Sequence, residues 1–265
     1  MHNRLRPSWL LLLVPALAAA AAAPDDANEL VRLSSEDRGA MRVYYAEPAR
    51  DGHFQIELRL VEARNVKSTP ELPYRVALAG REREFVVAVE PADPALDSSF
   101  GLGLRALPGR SMRPGDAVPY RYRVPVLTRE PARVDQAGAG PTHDTPQSRH
   151  AWDFTVPDGT PVVAARGGLV VDVRMDYTRG GLDPALDGKA NVVRIEHDDG
   201  TMALYAHLAP RSATVAIGDR VEAGQRIAAS GHTGFASGPH LHFAVQVNHD
   251  FALESIPFEI DTRAR

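Results

Sequence analysis

The chain has 265 residues, with 30 basic against 34 acidic side chains and a formal net charge of −4. That balance implies no strongly basic surface, which excludes a nucleic-acid polymer as the partner. Cysteine is absent, which rules out thiol catalysis, thiolate ligands, disulfide staples and an acylated lipoprotein anchor; any metal site must use histidine and carboxylate.

The first 23 residues read as a secretory signal peptide. Arg4 and Arg6 supply a basic start, residues 9–17 an apolar stretch, and the alanines at 18–23 small-residue cleavage sites. The apolar run is short and alanine-rich beside the roughly 20 apolar residues that a membrane span needs. Export to the periplasm or envelope of a bacterium is therefore expected. Residues 24–130 carry short alternating runs, "RVYYAEP", "HFQIELRLVEA", "YRVALAG" and "REFVVAVEP" among them, cut by Gly/Pro-rich turns. They predict a small β-sandwich-like accessory domain. It holds one histidine, His53, and no cluster of acids and bases. Residues 131–149 are polar and rich in Gly, Ala and Pro, and read as a linker. Strand patterns return over 150–250, with no helix-period segment of useful length, and 251–265 is left as a tail. The fold class expected is all-β throughout. Eight of the ten histidines lie at or after position 143, so the chemistry is expected there.

"GPHLHFAVQV", 238–247, places two histidines on one strand face. Alternation puts His240, His242, Ala244 and Gln246 on one side and Leu241, Phe243, Val245 and Val247 on the apolar side, the imidazoles about 7 Å apart along the strand. Four places can add to this pair: His143, His150 with Asp153, His207 in "LYAHL", and the His-x-His itself. Asp153 stands in an apolar strand, "AWDFTV", where a carboxylate is costly unless paired or metal-bound. Histidine and carboxylate suit zinc, whose catalytic sites take three protein ligands and leave a position open.

"DFTVPDGTPVVAARGGLVV", "LYAHL", "VAIGDRVEAGQRIAASGHTG" and "SGPHLHF" occur in an order and at spacings that resemble the M23 zinc metallopeptidases of the LytM/lysostaphin type. The resemblance spans about 143–247. It implies a LytM-type β-sheet fold, zinc as cofactor, and peptidoglycan stem peptides or cross-bridges as substrate. Asp153 and His242 match two zinc ligands, and His207 and His240 match two further family histidines that serve catalysis. The first ligand departs from pattern, because the usual His-x-x-x-Asp spacing falls on Arg149. His143 is the expected replacement, reaching back through "DTPQSR", with His150 as the alternative. An odd spacing from Asp153 sends His150 to the opposite strand face unless a bulge intervenes. The glycine-rich stretches 175–190 and 231–239 are expected to wall a groove for an extended peptide, with Tyr205, Gly234 and Ser237 as substrate contacts.

No His-Glu-x-x-His helix occurs, which excludes the thermolysin arrangement. A biotinyl-type carrier would need an exposed-turn lysine, and this domain offers only Lys189, in a loop without the expected flanking residues. A metal-free relative that binds and activates cell-wall amidases is the alternative function. The accessory domain is a possible contact for a cell-wall partner protein.

Overall fold

The computed structural model describes residues 10–14, 30–139 and 143–261, and the chain divides into two units, Met1–Pro108 and Gly109–Arg265. Both are built of strands. The signal peptide expected at 1–23 lies outside the described residues except for Leu10–Val14, an edge strand antiparallel to Ser99–Pro108. Among the described residues no helix is long and apolar enough to cross a membrane.

The first unit pairs two four-stranded sheets. Alternate residues Phe54, Ile56 and Leu58 of one sheet and Tyr44, Val87 and Val89 of the other are buried in one cluster. This is the sandwich that the alternation predicts, each sheet burying one face.

The second unit is organised by one long antiparallel sheet. Its strands run in the order Arg133–Ala137, Trp152–Thr155, Leu241–His249, Met202–Ala206, Val192–Glu196, Gly168–Arg174, Arg220–Val221. Leu241, Phe243, Val245 and Val247 are at most 1% exposed and join Phe154, Tyr205 and Ile195 in the core. A fully buried side chain of this size contributes about 1.5–3 kcal/mol, so this face commits the strand's orientation. The division between units falls earlier than the expected boundary near 130. Tyr122 and Val126 are buried in the second unit's core. Arg121–Arg123 pairs with Glu259–Asp261, and Arg133–Ala137 with Trp152–Thr155. Segments expected as accessory domain, linker and tail are thus strands of the second unit: Tyr122, Phe258 and Ile260 pack on its core, while Arg133–Ala137 adds an edge strand with mostly exposed side chains.

The opposite face of the Leu241–His249 strand is covered as well. Ala244, Gln246 and Asn248 are buried at 0%, 1% and 0%. The turn at 145–150 lies over this face. Gln246 donates to the Gln147 carbonyl at 2.9 Å, and Ser255 donates to the Pro146 carbonyl through both its amide and its hydroxyl. The His150 amide donates to Ser255 Oγ at 3.1 Å. This anchoring brings the chain just before it across the sheet, and His143 with it.

Candidate active site

Antiparallel register sets the first two residues of the site. Asp153 lies directly opposite His242, and Ala206 faces His242 from the other side. Residues directly opposite share a face, so the carboxylate and the imidazole meet by strand pairing alone. His242 Nδ1 is 2.9 Å from Asp153 Oδ1. His143 arrives from the loop, with Nε2 3.2 Å from Asp153 Oδ2. The donor atoms of His143, Asp153 and His242 all lie within 4.8 Å of one another. His150, the alternative for the first position, sits in the turn before the strand and is not part of this group. The strand begins only at Trp152, so the expectation that His150 is itself a strand residue is corrected.

The tautomers follow from the partners, because a carbonyl oxygen only accepts. His143 Nδ1–H donates to the Gly138 carbonyl at 3.0 Å. His143 Nε2 is then a bare lone pair, buried and without a hydrogen-bond partner, directed at a carboxylate. Two acceptors facing each other at this distance call for a cation or a proton between them. The same device recurs at the other two rings. His207 Nδ1 donates to the Thr233 carbonyl at 2.7 Å, and His240 Nδ1 to the Gly238 carbonyl at 2.9 Å. The His207 and His240 rings lie 4.6 Å apart, and His207 lies 5.9 Å from His242. His240 Nε2 is 3.9 Å from Asp153 Oδ1.

His207 reaches the site against strand parity. It follows Tyr205 by two, and Tyr205 faces the core opposite Phe243. A regular strand would send His207 there too. Its φ of 61° breaks the strand instead, at a cost of about 1–3 kcal/mol for a non-glycine residue. Tyr205, expected as a substrate contact, is fully buried, and its hydroxyl accepts the Ala165 amide at 2.7 Å. No substrate reaches it. Gly234 is buried, with φ 82°, and pairs in parallel with Gly180, while Ser237 is exposed on the following turn. Gly180–Gly181 and Gly234–Phe235 form a short parallel pair that joins the two predicted wall loops. Leu182 and Phe235 are exposed on it.

Electrostatics divide the titratable groups. Burial pushes the Asp153 carboxyl up, but the adjoining His143 and His242 imidazoles outweigh it and hold the group well below the usual carboxylate range. Burial lowers His143, and the Asp153 carboxylate reverses this to a net rise. Burial, followed by repulsion from His240 and His242, pushes His207 down to about 3. Burial also lowers His242 despite its contact with Asp153. At neutral pH His207 is therefore uncharged, with Nε2 free to accept. The partners that sequence reasoning missed are the carbonyls of Gly138, Thr233 and Gly238. A backbone acceptor leaves no mark in residue identity, so no side-chain pattern could have pointed to them.

The second unit is similar in sequence to known proteins. Peptidoglycan DD-endopeptidase ShyA of Vibrio cholerae is 39% identical over 95 residues, 36% of this chain and 19% of that protein. Glycyl-glycine endopeptidase ALE-1 of Staphylococcus capitis is 36% identical over 114 residues, 42% of this chain and 29% of that protein. The chain spans only about a fifth of the length of the first curated relatives it matches. Among solved structures, the catalytic domain of lysostaphin from Staphylococcus simulans is 30% identical, covering 47% of this chain and 88% of that one, with a TM-score of 0.36. Residues 147–252 match the description of peptidase family M23. This stretch, which is similar to peptidase family M23, holds Asp153, His207, His240 and His242.

Proposed function

We propose that this domain is an exported zinc metalloendopeptidase that hydrolyses peptide bonds in peptidoglycan stem peptides or cross-bridges. The observation that carries the reading is the buried, partnerless His143 Nε2 beside Asp153, within 4.8 Å of the His242 donor. Two imidazoles and one carboxylate suit zinc by ligand type and number, and leave room for water. His143, Asp153 and His242 would hold the ion. Zinc bound there supplies Lewis acidity towards a water and a peptide carbonyl at neutral pH. The remaining steps fall to the chain. With their Nδ1 atoms engaged, His207 and His240 offer Nε2 for proton work. One receives the proton released by the attacking water and returns it to the leaving amine. The other, carrying a proton on Nε2 as well as on Nδ1, would donate to the oxyanion as a charged imidazolium. The Gly180–Gly181 and Gly234–Phe235 pair walls the groove, with Ser237 at its rim; its glycines leave room for an extended peptide, and Leu182 and Phe235 add an apolar edge. The substrate class rests on the relatives named for peptidoglycan and glycyl-glycine cleavage, and the export on the basic and apolar start of the chain.

The test is bound zinc and hydrolysis of purified peptidoglycan. The expected result is one zinc per chain and peptide release that a chelator abolishes. His143→Ala is expected to lose the metal and His150→Ala to keep it; the reverse would overturn the ligand assignment. A protein that takes up no zinc at neutral pH and stimulates an amidase would instead establish the regulator.

A further inference from the structure

His207 is held by a buried polar node one layer behind the site. We propose that Asn191 and Thr233 are positioning residues that fix the His207 ring and couple it to the groove wall; this rests on the reading of His207 as a proton carrier. Asn191 is 0% exposed and Thr233 3%. Every hydrogen-bonding group of Asn191 is used. Its Nδ2 donates to the carbonyls of Tyr177 and Leu208, at 2.8 and 3.2 Å, and its Oδ1 accepts the Tyr177 amide at 2.9 Å. Its own amide donates to Thr233 Oγ1 at 3.0 Å, and its carbonyl accepts the Leu208 amide at 3.1 Å. Thr233 Oγ1 donates in turn to the Leu208 carbonyl at 2.8 Å, and the Thr233 carbonyl takes the His207 Nδ1–H.

The contacts converge on two points. Leu208, directly after His207, is gripped at its amide and twice at its carbonyl, which holds the φ of 61° that turns the ring away from the core. The Thr233 carbonyl sets the tautomer, leaving Nε2 bare. Meanwhile the side chain of Asn191 acts as a strand partner for Tyr177, at the start of the wall loop. That loop is zipped to the Thr233 segment by the Gly234 amide on the Arg179 carbonyl and the Ala236 amide on the Gly181 carbonyl, at 2.9 and 3.1 Å. The wall that meets substrate and the imidazole that moves the proton therefore share one anchor. A fully satisfied buried network of this kind admits one arrangement, since a shifted member orphans the others.

Nitrogen-15 NMR of histidine rings in the full chain, with and without zinc, tests this. Wild-type His207 is expected as the Nδ1–H tautomer, its signals assigned by their loss in His207→Gln. Thr233→Val, isosteric but without the hydroxyl, is expected to keep its zinc and broaden or shift the tautomer signal. Its kcat on peptidoglycan fragments is expected to fall by about 10–100-fold, the cost common for such outer partners, with KM little changed. Thr233→Ser is expected to restore both readouts. An Nε2–H tautomer in the wild type would overturn the proposal, as would a Val variant with unchanged tautomer and kcat, or a Ser variant as impaired as Val. If Val fails to fold, the wild-type tautomer and the Ser variant still decide. A zinc-loaded wild type that hydrolyses nothing would refute the peptidase reading alone, and the ring signals would still judge the node.

Discussion

Acid is expected to weaken the second unit through a histidine that does no chemistry. His197 follows the Val192–Glu196 strand, is 3% exposed, and donates through Nδ1 to the Gly167 carbonyl at 2.9 Å. Its Nε2 is buried without a hydrogen-bond partner, and its ring packs against Tyr122 at 5.7 Å. Burial pushes the imidazole down to about 4 from 6.5, against the opposing hydrogen bond to Gly167. Between these values the unfolded chain binds the proton and the folded one does not, so stability is complete above about 6.5 and is lost as pH falls towards 4. The full separation corresponds to about 3.4 kcal/mol, of which about 2.5 kcal/mol is lost between pH 7.5 and 4.5. Urea denaturation at both pH values, with a chelator present, measures the loss. His197→Asn keeps a donor for Gly167 but does not titrate. The wild type is expected to lose about 2.5 kcal/mol more than the variant over that interval. Equal losses in the two proteins would refute the assignment, since the other acid-sensitive groups are common to both.

Other outcomes follow from the geometry. Tyr205→Phe leaves the Ala165 amide without its acceptor and is expected to cost about 1–3 kcal/mol in denaturation, with kcat and KM on peptidoglycan fragments essentially unchanged; a rise in KM alone would reinstate Tyr205 as a substrate contact. In Gly180→Ala the new Cβ would fall on the His232 carbonyl oxygen. The parallel pair must then open, so hydrolysis is expected to drop more than about 10-fold while zinc content is retained. Phe243→Ala removes a ring packed on Tyr205 and Phe258, at 5.2 Å from each, and is expected to cost about 3–5 kcal/mol by thermal or urea unfolding.

Much of the site was legible in "HLHFAVQV" and "AWDFTV". Alternation alone assigned Leu241, Phe243, Val245 and Val247 to the core, as found, and left His242 on the other face. It also marked Asp153 as a carboxylate in need of a partner. The same rule failed where the strand does. His207 shares parity with Tyr205, yet the two point apart because φ turns positive at His207. It was silent on what covers that other face, where Ala244, Gln246 and Asn248 are buried and the Gln246 side chain donates to the Gln147 carbonyl in the turn at 145–150.

The crowding of histidines after position 143 pointed to where the chemistry was expected, and the local period of the chain determined by itself that both units are β and which face of each strand is apolar. Those properties depend only on neighbours one or two residues apart, since the pleat alternates side chains with a period of two. Tertiary structure alone brought His143, which the sequence had favoured over His150, against Asp153 and His242, turned His207 to meet them, and set the rings by three carbonyls. Each of these depends on loop closure and on register between strands up to some ninety residues apart, as with Asp153 opposite His242. Such contacts form because of the whole sheet's burial, which no short stretch of sequence contains.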